Sequence, residues 1–107
     1  MRDVVHGMQV FSKVVQAGSL SAAARELGVS PAVVSRALSA VEARLGVRLL
    51  NRTTRSLTTT PEGDTFLERS RRILADIEEA EQEITSFRSA PRGLLRQKIV
   101  GLTKLPS

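Results

Sequence analysis

The sequence predicts a mainly α fold: three short helices, a two-stranded hairpin and one long helix. Three observations carry this. Apolar residues recur at helical spacing through residues 4–45, a Leu- and Thr-rich stretch without a helical stripe fills residues 47–60, and a heptad-like seam runs through residues 61–89.

In the first helix, over residues 4–17, Val4, Met8, Phe11 and Val15 share a face, and Gly18 suits the left-handed residue that closes a helix. Ser21 is placed to cap a second helix over 22–27, with Ala23, Ala24 and Leu27 inward and Gly28 closing it. Val29 lies in a turn of a few residues. Ser30 then offers an N-cap, and Pro31 takes the first helical position, where its missing N–H costs nothing.

The third helix runs to about Leu45 and stops at Gly46. Its inward stripe is Val34, Leu38, Val41 and Leu45. The opposite face carries Ala32, Arg36, Ser39 and Ala43, flanked by Val33 and Ser35. Small side chains around one long cation suit a helix that enters a groove. They equally suit an ordinary solvated face.

Two strands fit the next stretch, around 48–52 and 56–60, with a tip near Thr53, Thr54 and Arg55 and a cation on either side, Arg52 and Arg55. Thr60, Pro61 and Glu62 open the long helix with an N-cap, an N1 proline and first-turn acids. Its seam is Phe66, Ser70, Ile73, Ile77, Ala80, Ile84 and Phe87, widened by Leu67 and Leu74. A helix from Pro61 to about Ser89 spans on the order of 43 Å at 1.5 Å per residue. One small domain cannot cover so long a stripe, so the seam points to a partner helix and a homodimer.

The chain has 107 residues. Domains this small bury only about 60% of the surface of the unfolded chain, and dimerisation supplies further burial. The absence of cysteine excludes disulfides, thiolate metal sites and cysteine nucleophiles, and fits a reducing cytosol. No apolar run has the length of a membrane span, and none resembles a signal peptide. Charge divides the chain in three. Residues 1–60 hold eight Lys/Arg against three Asp/Glu, residues 61–90 four against eight, and residues 91–107 four against none. A basic body suits a polyanion, most often nucleic acid, although many solvated surfaces are also basic. With only Phe11, Phe66 and Phe87 as aromatics, a base-stacking single-strand binder is disfavoured.

An enzyme is not expected, nor a metal or cofactor. His6 is the only histidine and reads as an incidental surface residue. Glu62, Asp64 and Glu68 cluster, but first-turn helix acids explain them. No glycine spacing forms a phosphate loop or a dinucleotide fingerprint.

Residues 17–63, "AGSLSAAARELGVSPAVVSRALSAVEARLGVRLLNRTTRSLTTTPEG", resemble the N-terminal DNA-binding domain of the LysR-type transcriptional regulators. "AAARELGVS", "VSRAL", "VEARLGVRLLNRTTRSL" and "TPEG" all fall in that family's order and spacing. The resemblance implies a winged helix-turn-helix over residues 1–60, a linker helix over 61–90 that dimerises it, and normally a larger effector-binding domain beyond. Residues 91–107 then form a short basic tail, the remnant or replacement of that domain's start. "RGLLR" looks like its lead-in, whereas "QKIVGLTKLPS" does not look like its continuation. A natural truncated regulator, a fragment, or a chain with foreign residues at its end would each account for this.

By the same resemblance the third helix is a recognition helix in the major groove, and the chain is a cytoplasmic, nucleoid-associated reader of a roughly palindromic double-stranded operator. Ser30 caps the helix end that faces phosphate, and Ser35 and Arg36 reach base edges or phosphate, with Pro31 and Ser39 on the same surface. Ser21 lies against the DNA backbone. Arg55 enters the minor groove, and Arg52 and Thr53 hold phosphate, unless Arg52 is instead engaged by Glu42. Many members carry glutamine then proline after the N-cap serine, where this chain has Pro31 then Ala32. A glutamine can read adenine through paired hydrogen bonds, which Pro31 cannot, so base reading shifts toward Ser35, Arg36 and contact of Ala32 or Val33 with a thymine methyl. No small-molecule effector is expected for the chain alone. A rival role is a pairing module that captures full-length relatives in inactive mixed dimers, and Arg36→Ala separates the two, since only DNA-dependent activity needs Arg36.

Overall fold

The computed structural model describes residues 2–52 and 57–88, with the side chains of Arg2 and Asp3 excepted. The element order is α1 (Arg2–Ala17), α2 (Leu20–Leu27), α3 (Pro31–Leu45), β1 (Leu50–Arg52), β2 (Leu57–Thr59) and α4 (Pro61–Thr85), with a 3-10 turn at Ser86–Arg88. Two compact units divide the chain, residues 1–75 and 76–107, and α4 begins in the first and ends in the second. Among the described residues no helix is long and apolar enough to cross a membrane.

The first unit is a helical body around one apolar cluster. Val10, Phe11 and Val14 of α1 meet Ala23 and Ala24 of α2, Val34, Leu38 and Val41 of α3, and Leu49 and Leu50. The inward face of α1 is therefore Val10, Phe11 and Val14 with Met8 beside them, whereas Val4 and Val15 are only half-buried. The face turns this way because Gly7 lets α3 approach closely. A Cβ there would lie 3.0 Å from the Val41 Cβ.

Gly18, at φ +83°, ends α1 and donates its N–H to the Val14 carbonyl at 2.9 Å. The chain reverses so quickly that Ser19, not Ser21, caps α2. Ser19 has extended backbone, and its hydroxyl accepts the Ala22 N–H at 3.0 Å. Ser21 is instead an exposed first-turn residue. Gly28, at φ +71°, closes α2, with the Val29 N–H reaching back to the Ala24 carbonyl at 3.0 Å. Leu27, expected inward, is exposed, because so short a helix points only Ala23 and Ala24 into the core. Ser30 caps α3 through the Val33 N–H at 3.4 Å, and Pro31 takes the first position.

In α3 Val34, Leu38 and Val41 are buried, but Leu45 is 42% exposed. Gly46 terminates the helix there, its N–H on the Glu42 carbonyl at 2.8 Å, and Leu49 and Leu50 complete the core in its place. Leu45 lines an open apolar groove with Val47, Leu49, Thr65 and Phe66, between Glu62 and Arg69.

β1 and β2 pair antiparallel with Leu50 opposite Thr59, Asn51 opposite Thr58 and Arg52 opposite Leu57. The strands are shorter than the sequence suggests because the backbone before Leu50 bonds elsewhere. The Leu49 N–H goes to the Glu42 carboxylate at 2.8 Å, the Leu49 carbonyl accepts the Thr60 N–H at 3.0 Å, and the Arg48 carbonyl accepts the Thr60 hydroxyl at 2.6 Å. The expected tip residues Thr53, Thr54 and Arg55 lie outside the described residues.

Thr60 caps α4, accepting the Gly63 N–H at 2.9 Å, and the Thr59 hydroxyl donates to the Asp64 carboxylate. Within the first unit, Phe66 meets Phe11 with ring centroids 5.5 Å apart at a 55° tilt, and Ser70 is fully buried. This corrects the expected seam at its start. Ser70 is enclosed by the chain's own body, while Phe66 packs on Phe11 with one side and lines the open apolar groove with the other. The fully buried Ser70 has no surface left for a partner.

Farther along, Ile73 and, in the second unit, Ile77, Ala80 and Ile84 are exposed. The helix ends at Thr85 rather than near residue 89. The Thr85 and Ser86 hydroxyls donate to the Gln82 and Glu83 carbonyls at 3.1 and 2.8 Å, drawing off the last-turn acceptors. Phe87 therefore sits half-buried in the 3-10 turn, out of the helical register of the seam.

Candidate nucleic-acid interface

The expected recognition surface is built on α3. Its inward stripe is fixed by the core, so the far side is left to solvent. Ser30, Pro31, Ala32, Val33, Arg36 and Ser39 are exposed, and Ser35 is half-buried. No side chain on this surface is larger than valine except Arg36. Among the described residues neither a hydrogen bond nor an ion pair engages the Arg36 guanidinium.

Arg52 stands differently. Its Nη2 lies 3.7 Å from Oε1 of Glu42, and its Nη1 donates to the Ser35 hydroxyl at 3.4 Å. Of the two roles the sequence leaves open for Arg52, the pairing with Glu42 is the one formed in the unbound chain. Glu42 is itself largely shielded and does more than pair, since its Oε2 also accepts the Leu49 and Leu50 N–H groups at 2.8 and 3.3 Å. One carboxylate thus joins α3, the entry to β1 and the Arg52 guanidinium.

Sequence reasoning names Glu42 only as a partner for Arg52 and misses its hold on the backbone. The available signal is that Glu42 is the sole acid in α3. Of the other expected contacts, Ser21 lies on the exposed first turn of α2, whereas Thr53 and Arg55 fall outside the described residues.

Three packed helices, a tight α2–α3 connection through Gly28, Val29 and Ser30, and an antiparallel two-stranded wing define a winged helix-turn-helix protein. The chain belongs to the bacterial regulatory helix-turn-helix proteins of the lysR family, whose model matches residues 5–64. It is 44% identical over 89 residues to the HTH-type transcriptional regulator CrgA of Neisseria meningitidis serogroup C (strain 8013), a match covering 83% of this chain and 30% of that protein. The CbnR_DBD chain, solved in complex with DNA, is 36% identical with a TM-score of 0.73, covering 78% of this chain and 97% of that one. The BenM_DBD chain, solved with catB site 1 DNA, is 28% identical with a TM-score of 0.75, covering 79% of this chain and 91% of that one. The chain spans about 30% of the length of the curated relatives it matches.

Proposed function

We propose that the chain is the DNA-binding region of a LysR-type transcriptional regulator. It binds double-stranded DNA in the cytoplasm as a dimer and catalyses nothing. Residues 1–60 read the DNA, 61–90 link and dimerise, and 91–107 are a basic tail. The observation that carries this reading is the α3 surface, small side chains around one exposed cation, Arg36, that no other described residue engages. Such a face admits the helix to the major groove by its N-terminal half. Ser30, Pro31, Ala32, Val33, Ser35, Arg36 and Ser39 supply contacts there, Ser21 touches the backbone, and Thr53 and Arg55 reach the DNA from the wing. DNA complexes of the CbnR and BenM domains support the assignment.

A fluorescence-anisotropy titration over a salt series tests it, comparing a random duplex with one enriched by selection on this chain. Tight, sequence-dependent binding with a steep negative dependence of log K on log salt is expected, since each neutralised phosphate contributes about −0.9 to that slope. Equal, weak binding to both duplexes overturns the reading and favours the pairing module, in which the chain joins full-length relatives in inactive mixed dimers.

Dimerisation rests on Ile73, Ile77, Ala80 and Ile84, exposed on one chain and spaced three or four residues apart. With Ser70 enclosed in the body and Phe66 half-buried, the exposed run of the stripe begins at Ile73. Ile84, 62% exposed, has the most apolar surface to gain from a partner. Ile77→Glu is expected to shift the chain from dimer to monomer in sedimentation at micromolar concentration, with the circular-dichroism spectrum of the body retained. An unchanged dimer would place the interface elsewhere.

A further inference from the structure

We propose that Glu42 is a positioning residue that, through Arg52, fixes the Ser35 hydroxyl as a hydrogen-bond donor toward an acceptor on DNA. The proposal rests on the DNA-reading function above and assigns the polarity of one of its contacts.

The Glu42 carboxylate is anchored by two backbone N–H groups, from Leu49 and Leu50, so it cannot swing freely. Its other oxygen faces Nη2 of Arg52, which brings Nη1 of the same planar group to the Ser35 hydroxyl. A guanidinium only donates, so Ser35 accepts in this contact. One lone pair of the hydroxyl is thereby occupied, and its own proton is turned away from Arg52. The cation behind it strengthens the hydroxyl as a donor and opposes an approaching amino group. Ser35 is therefore matched to a purine N7, guanine O6, thymine O4, or a phosphate oxygen, and mismatched to the cytosine and adenine amino groups. Arg52, partly neutralised by Glu42, adds little of its own to phosphate attraction.

The test combines selection from a random duplex library with anisotropy titrations across salt, using the full chain and its Ser35→Ala, Ser35→Thr and Glu42→Gln variants. Ser35→Thr keeps the hydroxyl and is expected to enrich the wild-type motif. Ser35→Ala should lose about fivefold in affinity, the scale of one hydrogen bond. Loss of preference at one position per half-site locates a base contact there. A uniform loss across duplexes identifies phosphate.

At a base-specific position, the matching acceptor-altered base (7-deazaguanine, 7-deazaadenine, 6-thioguanine or 4-thiothymine) should weaken the wild type and leave Ser35→Ala unchanged. Glu42→Gln retains an amide oxygen for Leu49 and Leu50 but releases Arg52. It should blur the same preference and make the salt slope more negative by about 0.9, as a freed arginine gains a phosphate.

The proposal is overturned if Ser35→Ala binds every duplex as the wild type does, or if Glu42→Gln leaves both motif and slope unchanged. Wild-type binding to acceptor-altered duplexes at full strength overturns it for a base contact. Should Glu42→Gln fail to fold, the acceptor-altered duplexes still decide the polarity with the wild type and Ser35→Ala. If the wild type enriches no motif at all, the DNA-reading function itself falls, and this assignment with it.

Discussion

Gly63→Ala is expected to lower the melting temperature by roughly 10–20 °C, in a host residue that sits inside a helix and would ordinarily gain from alanine. The helix preference for alanine over glycine is about 1 kcal/mol in favour of the change. Against it, a Cβ on Gly63 would overlap the Leu49 carbonyl oxygen and lie 3.0 Å from its carbon. The obstacle is backbone, not the end of a flexible side chain, and it is held by the Thr60 N–H at 3.0 Å. Overpacking of this kind costs about 1–3 kcal/mol and occasionally more. With an overlap this severe the upper end applies, leaving a net loss of about 2–3 kcal/mol. At roughly 4–8 °C per kcal/mol for a body of this size, that gives the expected shift. Thermal unfolding followed by circular dichroism measures it, and a variant melting at or above the parent would show that α4 can lift from Leu49 without cost.

Arg36→Ala is expected to weaken binding to the enriched duplex about 5- to 150-fold, the equivalent of about 1–3 kcal/mol for one good arginine contact. Nothing among the described residues depends on Arg36, so the fold and the dimer should be untouched. The pattern of loss assigns its role. Relaxed preference at one base position, with Arg36→Lys unable to restore it, means a bidentate contact to a base. Uniform weakening with a salt slope less negative by about 1 means phosphate. Anisotropy titrations and a repeat selection make the distinction, and unchanged affinity would remove α3 from the groove.

The capping residues were the most legible part of the fold. Gly18, Gly28 and Gly46 each take the left-handed conformation that ends a helix, and Ser30 with Pro31 opens α3 as their chemistry requires. Capping is local, so a sequence displays it. Ser19 and Ser21 show the limit of that legibility. Both suit an N-cap, and the choice was made by how sharply Gly18 turns the chain.

The burial stripes were readable in kind but not in extent. Leu45 and Leu49 are both leucines near the end of α3, and only tertiary packing decides which completes the core. The long helix was harder still, because one continuous period hides a change of duty. Ser70 is enclosed in the body and Phe66 half-buried against Phe11, while Ile77 and Ile84 remain exposed. In the candidate site, exposed Arg36 was legible as a cation among small residues. The grip of Glu42 on Leu49 and Leu50 was not, since it joins positions seven and eight apart whose donors are backbone groups that every residue carries.

The base of the wing is pinned from two sides, by the Glu42 carboxylate on the Leu49 and Leu50 amides and by Thr60 on the Arg48 and Leu49 carbonyls. Its placement consequently does not depend on the three-residue ladder alone. Leu49 and Leu50 would keep their seats on Glu42 even if a ladder bond opened, so the root of the wing belongs mechanically to the helical body rather than to the strands.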